Sequence, residues 1–190
     1  MSTQDVIGGI DLTDDRYVVR QSLIRNKYAV EDGAGTTVLK GKQKLFKMKE
    51  DFPFTTPDGE TKFRLKAKNV LDIAGSYALV DEQTGETFGV IEKEFTVFKH
   101  NYNIRSPEGD LWARIESESS LVMALKSLSD IAGLLPHSYS ITGPDGQSIG
   151  TIEERFSIRD IYDVTIGDTG AAPREAIVAA ACAIDALEGN

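Results

Sequence analysis

The sequence predicts a mainly β protein: a closed antiparallel barrel of about twelve strands enclosing a hydrophobic C-terminal α-helix, with one inserted amphipathic helix. Three observations carry that expectation. Short alternating runs with turn signals between them recur from Tyr17 to Val164. A degenerate hairpin pattern repeats four times, and the last helical stretch is apolar all round.

Residues 1–15 are polar, acidic and Gly-containing and read as a loose tail. That leaves 16–190 as a single domain. The repeat runs Tyr28-Ala-Val30 to Gly35, Tyr77-Ala-Leu79 to Gly85, Tyr102-Asn-Ile104 to Gly109 and Tyr139-Ser-Ile141 to Gly146. In each copy an aromatic and an aliphatic side chain sit two apart and so share one face of a strand. The Gly that follows supplies the positive φ of a tight turn. The copies start 49, 25 and 37 residues apart, too irregular for a propeller or solenoid. Further strands are expected at 17–24, 42–48, 60–67, 95–98 and 158–166, with a fifth turn at Pro57-Asp58-Gly59. So many strands in one open sheet would leave aggregation-prone edges, which favours closure.

Two segments break the pattern. Over 120–135, Leu121, Leu125, Leu128, Ile131 and Leu135 recur at helical spacing, with Pro136 beyond the end. Over 174–187 a helix opens behind Pro173 and carries no charge from Ala176 to Ile184. A helix without a polar stripe must be enclosed. At about 21 Å it is too short to cross a bilayer. Its many alanines make it slim enough for the lumen of a twelve-strand barrel, roughly 24 Å across.

Composition narrows the function classes. One Cys excludes a disulfide framework, and one Cys with two well-separated His excludes a Cys/His structural zinc site. A net charge of −9 argues against general nucleic-acid affinity. The opening residues lack a basic and an apolar region, and no apolar run reaches transmembrane length. A soluble cytoplasmic protein, with scope for peripheral membrane contact, is the expectation.

Enzyme signatures are weak, so no catalytic residue and no cofactor are assigned. Gly33-Ala-Gly35 is only a turn. Gly35 to Gly41-Lys42 has one residue too many for a phosphate loop, and Gln43 stands where Ser or Thr belongs. His100 and His137 lie in no motif, Cys182 reads as a packing thiol, and Trp112 and the repeat tyrosines read as core.

The strongest candidate site is cationic. Between Lys40 and Lys68 lie nine basic and four acidic residues, in a chain that is otherwise strongly acidic. Lys40, Lys42 and Lys44 alternate, as do Lys62, Arg64, Lys66 and Lys68, with Phe63, Leu65 and Ala67 facing the other way. Lys47 and Lys49 follow with shifted phase, which points to a bulge near Leu45-Phe46. Such a face attracts anions, lipid headgroups among them. A merely solubilising outer face is the simpler account.

Asp160, Asp163 and Asp168 offer oxygens to a hard cation such as calcium. Their spacing lacks the ligand order of a calcium loop, and strand-end and turn carboxylates explain them more simply.

The runs Tyr28-Ala-Val-Glu-Asp32 and Tyr77-Ala-Leu-Val-Asp81, and Ile158-Arg-Asp160-Ile-Tyr162-Asp-Val164 before an apolar helix ending Ala183-Ile-Asp185, resemble the LURP-one-related family. That family is grouped with the tubby C-terminal-like and phospholipid-scramblase-like proteins. Over roughly 16–187 the resemblance implies a twelve-stranded barrel around a central hydrophobic helix. It also implies binding at phosphoinositide-containing membranes, regulatory roles or lipid scrambling, and a link with calcium near Asp160, Asp163 and Asp168. The helix at 120–135 has no counterpart in that pattern. The resulting expectation is a non-enzymatic module that recognises anionic lipid headgroups. The alternative is an intracellular protein-interaction or regulatory module without a small ligand.

Overall fold

A computed structural model describes residue 7 and residues 9–22, 27–42, 52–67, 75–95, 100–118, 136–157 and 160–188. Among these residues twelve strands precede one helix: β1 (Arg16–Gln21), β2 (Lys27–Glu31), β3 (Thr37–Lys42), β4 (Phe52–Thr55), β5 (Thr61–Ala67), β6 (Ser76–Asp81), β7 (Thr87–Phe95), β8 (His100–Arg105), β9 (Leu111–Ser117), β10 (Ser138–Thr142), β11 (Ser148–Glu154), β12 (Ile161–Ile166) and α1 (Arg174–Glu188). Each strand pairs antiparallel with its sequence neighbours. β1 closes the ring on β12, with Arg16 opposite Thr165 and Arg20 opposite Ile161.

The repeated hairpin is the unit of construction. Gly35, Gly59, Gly109 and Gly146 each have positive φ and donate an N–H at 3.0 Å to the carbonyl three residues back. A register shift precedes each of these turns, as between Val30 and Glu31, which is how a three-residue hairpin loop joins a twisted pair. Gly85 serves the fifth turn with a bond reaching one residue further, to Asp81. Antiparallel order puts all five short turns at one rim, where β12 also hands over to α1. The other six connections lie at the opposite rim.

Alternate side chains point inward and form a single core cluster. Phe52, Phe54, Phe63 and Phe88 chain together by edge-to-face and stacked contacts along one wall. Residues Ala176 to Ile184 of α1 are at most 1% exposed and belong to the same cluster. α1 touches β1 and β12 on one side of the ring and β7 and β8 across it. It begins just after Pro173, whose carbonyl accepts the Ala176 N–H.

Some expectations shift. β4 is not foreseen by the sequence, and the expected strand at 95–98 begins with the last residue of β7, Phe95. The expected strand at 42–48 beyond Lys42, the bulge at Leu45-Phe46 and the helix at 120–135 lie outside the described residues. α1 is the one helix among the described residues. Residues 9–15, expected as a tail, lie against the barrel instead. Leu12 is buried there with Ile7, and both belong to the core cluster. Arg174 grips the Asp14 carbonyl at 2.9 Å and the Asp15 carboxylate at 3.0 Å.

Candidate functional site

The cationic face is built by strand alternation. In β3, Leu39 and Gly41 turn inward, which sends Lys40 and Lys42 to the outer surface. In β5, Phe63 and Leu65 turn inward, which sends out Lys62, Arg64 and Lys66. Between them β4 presents Pro53 and Thr55, with Thr55 opposite Lys40 and Pro53 opposite Arg64. The β3–β4 ladder holds Lys40 to Thr55 and Gly41 to Phe54 but does not reach Pro53, which has no N–H to give.

Several of these cations are already engaged. Lys62 Nζ donates to Glu60 at 2.8 Å with its side chain only 11% exposed. Arg64 Nε donates to Glu82 at 2.6 Å, and that bond holds the Glu82 carboxyl below its usual range, with the Lys66 charge adding to the effect. Lys40 Nζ donates to the Pro57 carbonyl at 3.0 Å. Lys44, Lys47, Lys49 and Lys68 lie outside the described residues.

The ring adds a cation that the run from 40 to 68 does not contain. Lys27 on β2 sits directly opposite Lys42 on β3, both exposed. Among the described residues neither has an ion-pair or hydrogen-bond partner. The sequence held the signal. Counting back from the turn through Val30 and Leu39 pairs these two lysines, but only once β2 and β3 are known to be one hairpin.

The three aspartates do not converge. Asp163 is clamped by Arg155, through Nη2 at 2.6 Å as well as Nε, and by Arg16 at 2.8 Å. The Arg155 hydrogen bonds, reinforced by Arg16 against the opposing effect of burial, pull its pKa to about 2. Asp168 accepts the Gly170 N–H at 3.0 Å as a turn carboxylate, and the Asp160 carbonyl accepts the Gln21 N–H. Among the described residues no three His, Cys, Asp or Glu side chains gather where a metal ion would sit.

The remaining polar candidates have structural surroundings. His137 meets Glu154 twice, ring Nδ1 at 2.8 Å and its own N–H at 2.9 Å, tying the start of β10 to the end of β11. Cys182 is buried in α1, and Trp112 packs on the core beside Gly89. The repeat tyrosines Tyr28, Tyr77, Tyr102 and Tyr139 are all buried. Asn101 and Asn103 turn to the outside of β8 yet are only 9% and 4% exposed. Among the described residues their Oδ1 atoms accept no hydrogen bond, although Asn103 Nδ2 donates to Glu94 at 2.6 Å.

A family model described as LURP-one-related matches residues 37–185. The fold is similar to the crystal structure of an Arabidopsis thaliana protein, with a TM-score of 0.58 over 91% of each chain at 7% identity. At that identity the likeness speaks to the fold. No curated protein matches the sequence.

Proposed function

We propose, from the premise that the chain belongs to the LURP-one-related family, that it is a non-enzymatic module that docks on anionic lipid headgroups at a membrane surface. The docking face is the outer surface of β2 to β5. The observation that carries this reading is the Lys27–Lys42 pair. Like charges directly opposite across a ladder repel, and among the described residues neither lysine has a carboxylate to offset the other. An anion held between them would remove that repulsion, and Lys40 and Lys66 extend the positive field on the same surface. Lys62 and Arg64, tied to Glu60 and Glu82, brace the face more than they bind. In the same reading α1 is a hydrophobic rod that fills the lumen and keeps the ring rigid. The protein works in the cytoplasm, peripheral to the membrane.

Flotation with liposomes at low salt tests this. Wild-type protein floats with vesicles containing phosphoinositide and not with neutral ones, and Lys27→Glu with Lys42→Glu abolishes flotation. Wild-type protein that never floats overturns the reading. A protein-interaction module without a small ligand is the second reading, favoured by Phe156, which is 80% exposed. A partner whose capture depends on Phe156 and ignores charge reversal at Lys27, Lys42 and Lys66 supports it.

A further inference from the structure

The rim where α1 begins is crossed by residues that belong to no strand. A side chain on Gly9 would approach Lys62 Nζ at 3.7 Å and Gln83 Nε2 at 4.0 Å, on the β5–β6 side. The same stretch ends at Asp15, whose carbonyl accepts the Ile166 N–H beside β1 and β12, across the ring. Residues 9–15 therefore span the mouth. Their hold is of two kinds. At the β1 end Arg174 grips Asp14 and Asp15, the Tyr17 hydroxyl accepts the Asp14 N–H at 2.8 Å, and Asp14 accepts the Gly33 N–H. From residue 9 to residue 13, one hydrogen bond reaches the rest of the described protein: the Leu12 N–H donates to Glu175 Oε1 at 2.8 Å. Leu12 itself and Ile7 are the buried apolar anchors, and Ile10 packs against the same cluster. Among the described residues the one bridge here joins Ile10 to Ile7, just ahead of the stretch, and reaches no strand of the ring.

We infer that residues 9–15 are a releasable latch across this mouth, hinged near Asp15 and hooked on Glu175, and that its release uncovers the first turns of α1 while the ring stays closed. The ring holds twelve ladders and the latch none, so the two open at different free energies. The hook is a carboxyl group only 6% exposed. Around it stand Asp11, Asp14 and Asp15 of the latch, Tyr17 of β1 and Arg174 of its own helix, with Lys62 of β5 further along under Gly9. Closing the latch buries Glu175 beside Asp11, with Arg174 the nearest compensating charge. Burial pushes the Glu175 pKa up, with Asp11 adding to it, and outweighs the Leu12 N–H bond, the residue's own N–H and Arg174, which all pull it down. Rising pH ionises the group, which strengthens the Leu12 bond but raises the cost of burial by more, so the latch loosens. This device is independent of lipid binding and goes beyond it.

Amide hydrogen exchange on the full chain tests the latch, with variants compared at one pH so that intrinsic rates cancel. Glu175→Gln keeps an acceptor and drops the charge. It is expected to slow exchange at the Leu12 amide by about fivefold at pH 7 and by less at pH 5. In wild type, exchange at Val178 to Ala181 is expected to need a smaller opening free energy, with weaker urea dependence, than exchange at Ile91 and Ile104 in β7 and β8, and Leu12→Ser is expected to speed it by about tenfold. Equal opening free energies and urea dependences in the two sets mean the stretch opens only with the whole fold, and overturn the proposal. An unchanged Leu12 amide in Glu175→Gln also overturns it, and that arm decides alone should Leu12→Ser fail to fold.

Discussion

The clamp on Asp163 shows what single residues contribute here. Its pKa falls from an ordinary 3.8 to about 2 because Arg155 and Arg16 hold the ionised form. A depressed carboxyl gives stability that is present above the unfolded value and is lost as pH falls through the folded one. Both arginines are substantially exposed, so the clamp is worth about 1 kcal/mol after screening, less than the shift alone implies. Urea denaturation is expected to show wild type ahead of Asp163→Asn by that amount at pH 5, with the gap closing by pH 2. A pH-independent gap would mean that the asparagine disturbs packing instead. The oxygen of Asn101 works the other way: among the described residues no donor reaches it, and a buried acceptor without one costs more than an apolar group of similar size. Asn101→Val is expected to raise stability by about 1 kcal/mol in the same measurement, helped by strand preference.

At the level of elements, two glycines separate two kinds of constraint. Gly109 has φ of 103°, and a methyl group added there would meet nothing within 4 Å. Gly109→Ala therefore meets only backbone strain and is expected to cost about 1 kcal/mol. Gly150 faces the Thr165 backbone on β12, and a methyl there would land on the carbonyl oxygen. Gly150→Ala must part β11 from β12 and is expected to cost about 3 kcal/mol or more. Thermal melts of the two variants read the difference directly. The hairpins were legible in the sequence because each local choice agreed with the ladder: Tyr and Ile two apart, then a Gly at positive φ. β4 was not legible, because Phe52-Pro53-Phe54 carries the right alternation around a residue that argues against a central strand. The latch was hidden for another reason. Ile7 and Leu12 are two apolar residues in an acidic stretch, and what holds them, Arg174 and Glu175, lies at the far end of the chain.

Across the whole molecule the chain is a meander, so eleven of its strand pairings join sequence neighbours and one, β1 with β12, joins the two ends. Closing that last seam carries the largest loop entropy and belongs late on the folding path. Val164→Ala in β12 is therefore expected to speed unfolding with little change in folding rate, whereas Ile104→Ala in the β8–β9 hairpin slows folding. Stopped-flow chevrons would show it, and a large φ-value at Val164 would reverse the order. The same circularity explains what the sequence half-disclosed about the candidate site. Alternation alone gave Lys40, Lys42, Lys62, Arg64 and Lys66 their outward direction. It did not disclose that Glu60 and Glu82 occupy two of them, nor that Lys27 joins Lys42, since those facts depend on which strands adjoin.

The uneven sorting of connections between the two rims carries an engineering consequence. Where glycines force reversal within a few residues, inserting or removing one residue rewrites the register of a hairpin. Foreign peptides carried on these five turns would therefore have to enter in lengths that restore the pairing on both sides of the reversal.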